Sequence, residues 1–473
     1  MRGDAQVEER NTQMGIPEEE AVSKLPPGRV FQLPTELDHL WDGLDDIGLG
    51  LRWLSEVKKA DMQIELGGPK WDYKMFSIFY IEEDPSKVKD GEVKLIGPDV
   101  NEVKPGTSLP GGFTIRIYGK ELTQAHQGYV SRQIGTALQG IEGFMLFGSP
   151  DELWIRISKD VANRLTFAKI SQFCYATART LIPQVDAIAF FWAVGAPEVG
   201  SVEMINPLVK WAKDKFKVIS AKELYDDEDV DTFYGCTICK SLAPNHACVL
   251  TPSALPYCGI IGYDSAKVTC EMDPEGYVFP IPKGECVDTT CGHYTGVDRA
   301  IFEKCNHLVN RVHIYSSIKY PTTNCGCFEA ASFYIPEVDG IGLAMRRYTG
   351  MTPLGVKFST LAGTISGGAQ NHGFKGLSIA GMASKNFLKG DGGWNRIVWM
   401  PADLKKDIAH VIPEEVYDKI VTSEETFDPA ELKKLLIQKG HPIVKMFWKD
   451  GEPQPLKLPL PGEEWPDEAT SKK

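Results

Sequence analysis

The chain has 473 residues, 42% of them hydrophobic and 24% charged, with a net charge of −13 and a pI near 5.3. That length predicts about three domains, each able to bury its own core. The acidic balance excludes nucleic acid and anionic membrane as the expected main partners, because both recruit basic surfaces. No stretch approaches the roughly 18 apolar residues of a membrane span. The longest, 187–196 (AIAFFWAVGA), suits a buried strand. The N-terminus, MRGDAQVEERNTQ, lacks the apolar core of a signal peptide, so a cytoplasmic location is expected. In that reducing compartment, metal ligation is favoured over disulfides for the 11 cysteines, and their odd number agrees.

Residues 1–58 read as a charged leader followed by a helix, in which Leu37, Leu40, Trp41, Leu44 and Ile47 recur at helical spacing up to Gly48 and Gly50. A middle α/β domain is expected over 59–222. Strands are predicted near 76–81, 93–96, 113–118, 154–157 and 187–194. Helices are predicted around Val130, Ile134, Leu138 and Ile141, within 160–182, and near 201–216. The acidic run 223–231 (ELYDDEDVD) reads as a solvated linker.

An α+β domain follows over 231–402, rich in glycine at 363–373 and 390–394, where close backbone approach is the expected use. A helical extension is expected over 403–473, with one helix capped by Asp428 and opened by Pro429. Neither a dinucleotide fingerprint nor a Walker-type phosphate loop occurs.

The chemistry concentrates between Cys236 and Cys327. Cys236, Cys239, Cys248 and Cys258 are spaced Cys-x2-Cys-x8-Cys-x9-Cys, and Cys325-Gly326-Cys327 closes the stretch. By spacing alone, a structural zinc site and an iron–sulfur cubane are equally compatible with the first four. Two thiolates flanking a glycine can offer sulfur, nitrogen, nitrogen and sulfur in one plane, the missing Cβ of Gly326 easing a flat backbone. Such a donor set suits Ni(II) or Cu(II) better than zinc. A plain structural turn satisfies Cys-Gly-Cys equally well.

These residues sit in longer matching stretches. The sequence from Phe233 to Cys248 (FYGCTICKSLAPNHAC), then Leu255 to Gly259 (LPYCG) and Cys325 to Glu329 (CGCFE), resembles the acetyl-CoA synthase family, especially the short archaeal beta-subunit form. Phe333 to Gly342 (FYIPEVDGIG), Phe358 to Gly363 (FSTLAG) and Asp391 to Pro401 (DGGWNRIVWMP) extend the likeness, which covers about 60–450.

The resemblance implies that Cys236, Cys239, Cys248 and Cys258 hold a [4Fe-4S] cluster. It implies that Cys239, Cys325 and Cys327 bind a proximal nickel and serve catalysis. Cys325 and Cys327, with the backbone nitrogens of Gly326 and Cys327, would hold a distal nickel. The implied reaction condenses CO, a methyl group from a methylated corrinoid iron–sulfur protein and coenzyme A into acetyl-CoA, or runs in reverse. Carbon monoxide dehydrogenase, in transient contact, and ferredoxin are the further implied partners. The implied architecture is two main mixed domains with the cluster at their interface, without the N-terminal docking domain of long-form relatives.

Trp154 and Arg156 are assigned to coenzyme A as cofactor-binding residues, against the plainer reading of a sheet residue with a surface arginine. Leu242 stands where the family's motifs carry phenylalanine beside the cluster, a departure that bears on gating of the proximal metal. Cys286, Cys291, His293, Cys305 and His307 lie outside the family pattern and read as free thiols and surface histidines, with zinc as the sharper alternative. Cys174 and Cys270 read as packing residues. The rival to catalysis is an iron–sulfur or zinc module that transfers electrons or organises a complex.

Overall fold

The computed structural model describes residues 27–49, 57–71, 75–148, 153–195, 226–258 and 261–466, with the single positions 205, 208 and 210. The chain divides into two compact units, Met1–Lys222 and Glu223–Lys473. Both mix helices with sheets, as the sequence predicts. Among the described residues no helix is long and apolar enough to cross a membrane.

The first unit is built on a five-stranded sheet in the order Arg29–Gln32, Glu92–Ile96, Ala187–Val194, Gly111–Tyr118 and Met75–Ile81. The run Ala187–Val194 is apolar throughout because it lies inside this sheet, parallel to Glu92–Ile96 and antiparallel to Gly111–Tyr118. A four-stranded sheet, Thr107–Leu109, Met62–Leu66, Leu153–Ser158 and Phe144–Gly148, accompanies it. The helices Gln127–Gln139 and Phe167–Leu181 turn their expected apolar faces inward, burying Val130, Ile134 and Leu138 in one and Phe167, Ile170 and Cys174 in the other. The predicted helix near 201–216 falls outside the described residues, except at isolated positions.

Two expectations are corrected. The stretch 36–47 is no α-helix but a chain of tight turns, with Asp42 N donating to His39 O, Leu44 N to Trp41 O and Ile47 N to Leu44 O. Gly43 at φ +73° breaks helical continuity. Only Leu40 and Leu44 are buried, and Leu37 is 66% exposed. The apolar spacing therefore serves two anchor residues, not a continuous face. The acidic run is not wholly solvated either: Asp227 is fully buried and its carboxylate accepts from Ser253 N at 2.7 Å.

The second unit centres on a five-stranded sheet in the order Phe374–Leu377, Ala330–Ile335, Gly340–Met345, Ile397–Met400 and Val421–Thr422. Every residue of Ala330–Ile335, Gly340–Met345 and Ile397–Met400 is buried, as expected of strands covered on both faces. A three-stranded antiparallel sheet, Cys248–Leu250, Thr232–Cys236 and Val278–Pro282, packs into the same core, which joins Cys236, Cys248 and Cys325 to Phe328, Phe333 and Trp399. The helix Pro429–Gln438 adds Leu432 and Leu436, and its Asp428 cap accepts from Glu431 N as the sequence predicts.

Buried histidines make this unit acid-labile. Burial pushes His313 down to about 3 and His441 down to about 4, and lowers His372 as well. Burial keeps His441 neutral; Ile443 N donates to its Nδ1, while the Ile397 carbonyl 3.0 Å from Nε2 offsets only part of that effect. Their folded-state values lie below the ordinary value near 6.5, so the unfolded chain takes up protons that the folded chain refuses as pH falls. The stability these groups contribute is complete above about pH 6.5 and declines below it. Urea unfolding at pH 8 and pH 5 is expected to give a lower midpoint at pH 5; equal midpoints would contradict this.

Candidate metal centre

The segments bearing the candidate ligands adjoin the three-stranded and the five-stranded sheets of the second unit. Cys236 ends the central strand Thr232–Cys236 and lies directly opposite Cys248, the first residue of Cys248–Leu250. The chain then leaves the sheet in a single 3₁₀ turn, Ile238–Ser241, which carries Cys239. The carbonyl of Cys239 accepts from both Leu242 N and Ala243 N, closing that turn. Cys325, Gly326 and Cys327 form the approach to the buried strand Ala330–Ile335.

Among the described residues, Cys239, Cys325 and Cys327 are the one group of three or more ligand side chains whose donor atoms lie within 4.8 Å of one another. Cys325 Sγ is 2.9 Å from Cys327 Sγ, and Cys239 Sγ is 3.6 Å from Cys327 Sγ. Two metal–sulfur bonds of about 2.3 Å reach across at most about 4.6 Å, so one soft ion can meet all three sulfurs with little movement. Cys327 N donates to Cys325 Sγ at 3.4 Å, which turns a peptide nitrogen toward the sulfur pair.

Charge crowding accompanies this geometry. Burial pushes the Cys248 thiol well up, and the negative charge of Cys236, Cys258, Cys239 and Cys327 adds to it. The six cysteines thus share one electrostatic neighbourhood. Hydrogen bonding to Cys239 is the largest cause that holds the Cys327 thiol protonated, with Cys325 and burial adding to it. Cys325 is raised mainly by the same partner. A bound cation would offset this repulsion, and clustered thiolates suit soft metals. A cubane spreads its four cysteines over separate irons, so Cys236, Cys248 and Cys258 need not crowd as the triad does.

Side chains just before Cys248, Cys258 and Cys325 tie the segments together. His246, two residues before Cys248, is fully buried, with Nε2 3.1 Å from Cys248 Sγ and Nδ1 2.9 Å from Thr323 Oγ1. Burial lowers it to about 4, so it is neutral. Tyr257, next to Cys258, hydrogen-bonds Thr322. Asn324 accepts from Gly376 N at 2.6 Å through its side chain and from Gly368 N at 2.7 Å through its carbonyl. Gly368, at φ +84°, lies so close to the Asn245–His246 backbone that a Cβ would come within 2.8 Å of His246 N. The expected use of these glycines, close backbone approach, holds here.

The sequence reading missed His246, Thr323 and Arg346, whose guanidinium reaches the Gly326 carbonyl. The adjacent NHAC and TTNCGC strings were the available signal. Gly326 itself is not demanded by packing: its φ is not positive, and an added Cβ would find only Ser366 Cβ at 3.7 Å. Leu242 is 71% exposed.

Elsewhere, Arg156 forms a partly buried ion pair with Glu65 at 2.7 Å, and Trp154 stacks on Phe147 at 4.4 Å. Cys286 is exposed, Cys305 is buried, and His293 lies 2.7 Å from Asp298. His307 adopts φ +63° at the end of the helix Thr295–Lys304. Cys174 is buried, and Cys270 packs half-buried against the main core.

Two mixed units, the second gathering three cysteines whose donor atoms could hold one metal ion, set the class of protein to be compared. Residues 220–448 match the family described as the C-terminal part of the ACS/CODH beta subunit, and 54–195 match the beta subunit of the CO dehydrogenase/acetyl-CoA synthase complex. The chain belongs to this beta-subunit family. It is 38% identical over 421 residues to acetyl-CoA decarbonylase/synthase complex subunit beta 2 of Methanocaldococcus jannaschii, covering 87% of this chain and 86% of the relative. The beta subunit of Methanopyrus kandleri is 38% identical over 402 residues, 84% of each chain. Subunit beta 1 of Methanosarcina acetivorans is 35% identical over 419 residues, 88% of this chain and 85% of the relative.

Proposed function

We propose that this chain is the catalytic subunit of an acetyl-CoA synthase, condensing CO, a methyl group from a methylated corrinoid iron–sulfur protein and coenzyme A into acetyl-CoA, or cleaving it. The reading rests on the convergence of Cys239, Cys325 and Cys327 within 4.8 Å, in a chain whose relatives are acetyl-CoA decarbonylase/synthase beta subunits. Cys236, Cys239, Cys248 and Cys258 would hold a [4Fe-4S] cluster. Cys239, Cys325 and Cys327 would hold a proximal nickel, and Cys325 and Cys327 with the nitrogens of Gly326 and Cys327 a distal nickel. When bound, this group supplies the electron-rich soft metal that methyl transfer from cobalt and CO binding require.

The protein's part is placement. Cys239 belongs to both the cubane set and the triad, so its one sulfur would be a ligand in both. His246 and Thr323 orient Cys248 from the buried side, and the core around Phe328 and Phe358 shields Cys325 from water, whereas Gly326 and Cys327 face outward. Coenzyme A is assigned to Trp154 and Arg156 in the first unit, where Arg156 already pairs with Glu65 and Trp154 already stacks on Phe147. Carbon monoxide dehydrogenase and ferredoxin are the remaining partners of the reading, and the cytoplasm is its location.

Three thiolates at this spacing also suit zinc, which sustains the rival reading of a metal module without carbon chemistry. Metal analysis after anaerobic purification separates the two. About two nickel and about four iron per chain are expected once the site is correctly loaded. Because copper binds such donors more tightly than nickel and zinc competes, the nickel fraction is expected to vary between preparations. Zinc alone, without iron, overturns the reading.

A further inference from the structure

We propose that Arg346 is a positioning residue for the metal held by Cys325-Gly326-Cys327, supplying the positive charge that steadies the peptide between Gly326 and Cys327 when its nitrogen binds as an anion. The inference rests on the distal-nickel reading above. Arg346 Nη2 donates to Gly326 O at 2.7 Å and to Phe328 O at 2.9 Å. The Gly326 carbonyl and the Cys327 nitrogen belong to one peptide unit, whose resonance spreads charge from nitrogen to oxygen. As the nitrogen–metal bond forms, the Cys327 N–H proton leaves to solvent, and no electron changes hands. The negative charge left behind is shared with Gly326 O, where the guanidinium already sits. A hydrogen bond to an ionised acceptor is about twice as strong as a neutral one, so the contact strengthens as the metal binds.

Three further observations point the same way. Cys327 N already faces Cys325 Sγ at 3.4 Å, so the proton to be lost is on the sulfur side. Arg346 itself is fixed: its backbone nitrogen donates to Glu329 O at 2.9 Å, and its guanidinium lies 6.0 Å from the Phe358 ring centre. No carboxylate pairs with it among the described residues, whereas its neighbour Arg347 pairs with Asp407 at 2.9 Å. A half-buried guanidinium that meets only carbonyls keeps its full charge for an anion formed on that loop.

A merely structural clamp would need only N–H donors, and that difference makes the test. The full-length wild type, Arg346→Gln, Arg346→Lys and Arg346→Met are reconstituted anaerobically with iron and sulfide and titrated with Ni(II) against a competing chelator. Iron content and cluster absorption report the cubane. The visible absorption of planar nickel reports the Cys-Gly-Cys site. Arg346→Gln, which keeps donors and loses charge, is expected to retain its iron and bind planar nickel at least about tenfold more weakly. Arg346→Lys is expected to recover part of that loss, and Arg346→Met to resemble or exceed Arg346→Gln. Equal nickel binding by Arg346→Gln and wild type overturns the proposal, as does parallel loss of iron and nickel. Wild type that takes up iron but forms no planar nickel overturns the distal-nickel reading and this inference with it.

Discussion

Replacing Cys325 with alanine is expected to abolish acetyl-CoA formation while leaving the cubane spectrum in place. Cys325 is 1% exposed and lies 2.9 Å from Cys327 Sγ, so both proposed nickel positions lose a sulfur when it goes. The four cysteines assigned to the cubane are untouched. The substitution removes one atom from a buried site, and its cost to folding should be about 1 kcal/mol, small beside the total stability of a domain of this size. The assay pairs acetyl-CoA synthesis from CO, methylated corrinoid protein and coenzyme A with iron content and visible absorption on the same sample. Retained synthesis would refute the assignment of Cys325. A variant that folds but loses its iron would move Cys325 into the cubane set.

Arg396→Met is expected to cost about 3–5 kcal/mol, because removing one member of a buried ion pair strands the other. Arg396 and Asp339 form such a pair, with side chains only 9% and 5% exposed. Arg396 Nε also donates to Asp339 O at 3.0 Å, and Tyr334 Oη donates to the same carboxylate at 2.6 Å. Asp339 sits at φ +46°, between the 3₁₀ turn Pro336–Val338 and the strand Gly340–Met345. The pair therefore locks the connection between the central strand and its neighbour Ala330–Ile335, which follows shortly after the Cys-Gly-Cys segment. Denaturant unfolding of the metal-free chain gives the measurement, and a loss below about 1 kcal/mol would contradict the buried-pair account. Adding Asp339→Asn should recover part of the loss, since asparagine tolerates the left-handed backbone and carries no charge.

The legibility of the sequence followed the range of the interactions involved. Strand Ala187–Val194 was readable because an apolar run of that length has one economical use, the middle of a sheet. The Asp428 cap was readable because cap and helix are adjacent. The turns at 36–47 were misread as a helix because apolar spacing alone does not record that only Leu40 and Leu44 find a core. The buried role of Asp227 depends on Ser253, across a contact that no local pattern encodes.

The metal centre divides along the same line. Spacing left zinc and iron–sulfur open, and motif likeness assigned each sulfur a role. The supports around them stayed hidden: His246 meets Thr323 across 77 positions, and Arg346 reaches back to Gly326 from the end of the following hairpin. Nothing in the composition of those segments announces the pairing. Contacts of this kind become visible only when two distant segments are seen side by side.

The ties from Tyr257 to Thr322 and from His246 to Thr323 run between protein side chains and do not pass through the sulfurs. In a zinc finger the metal folds the peptide, and its removal unfolds it. Here the segments bearing Cys248, Cys258 and Cys325 are also fastened by ordinary side chains, so their spacing is not left to a metal alone.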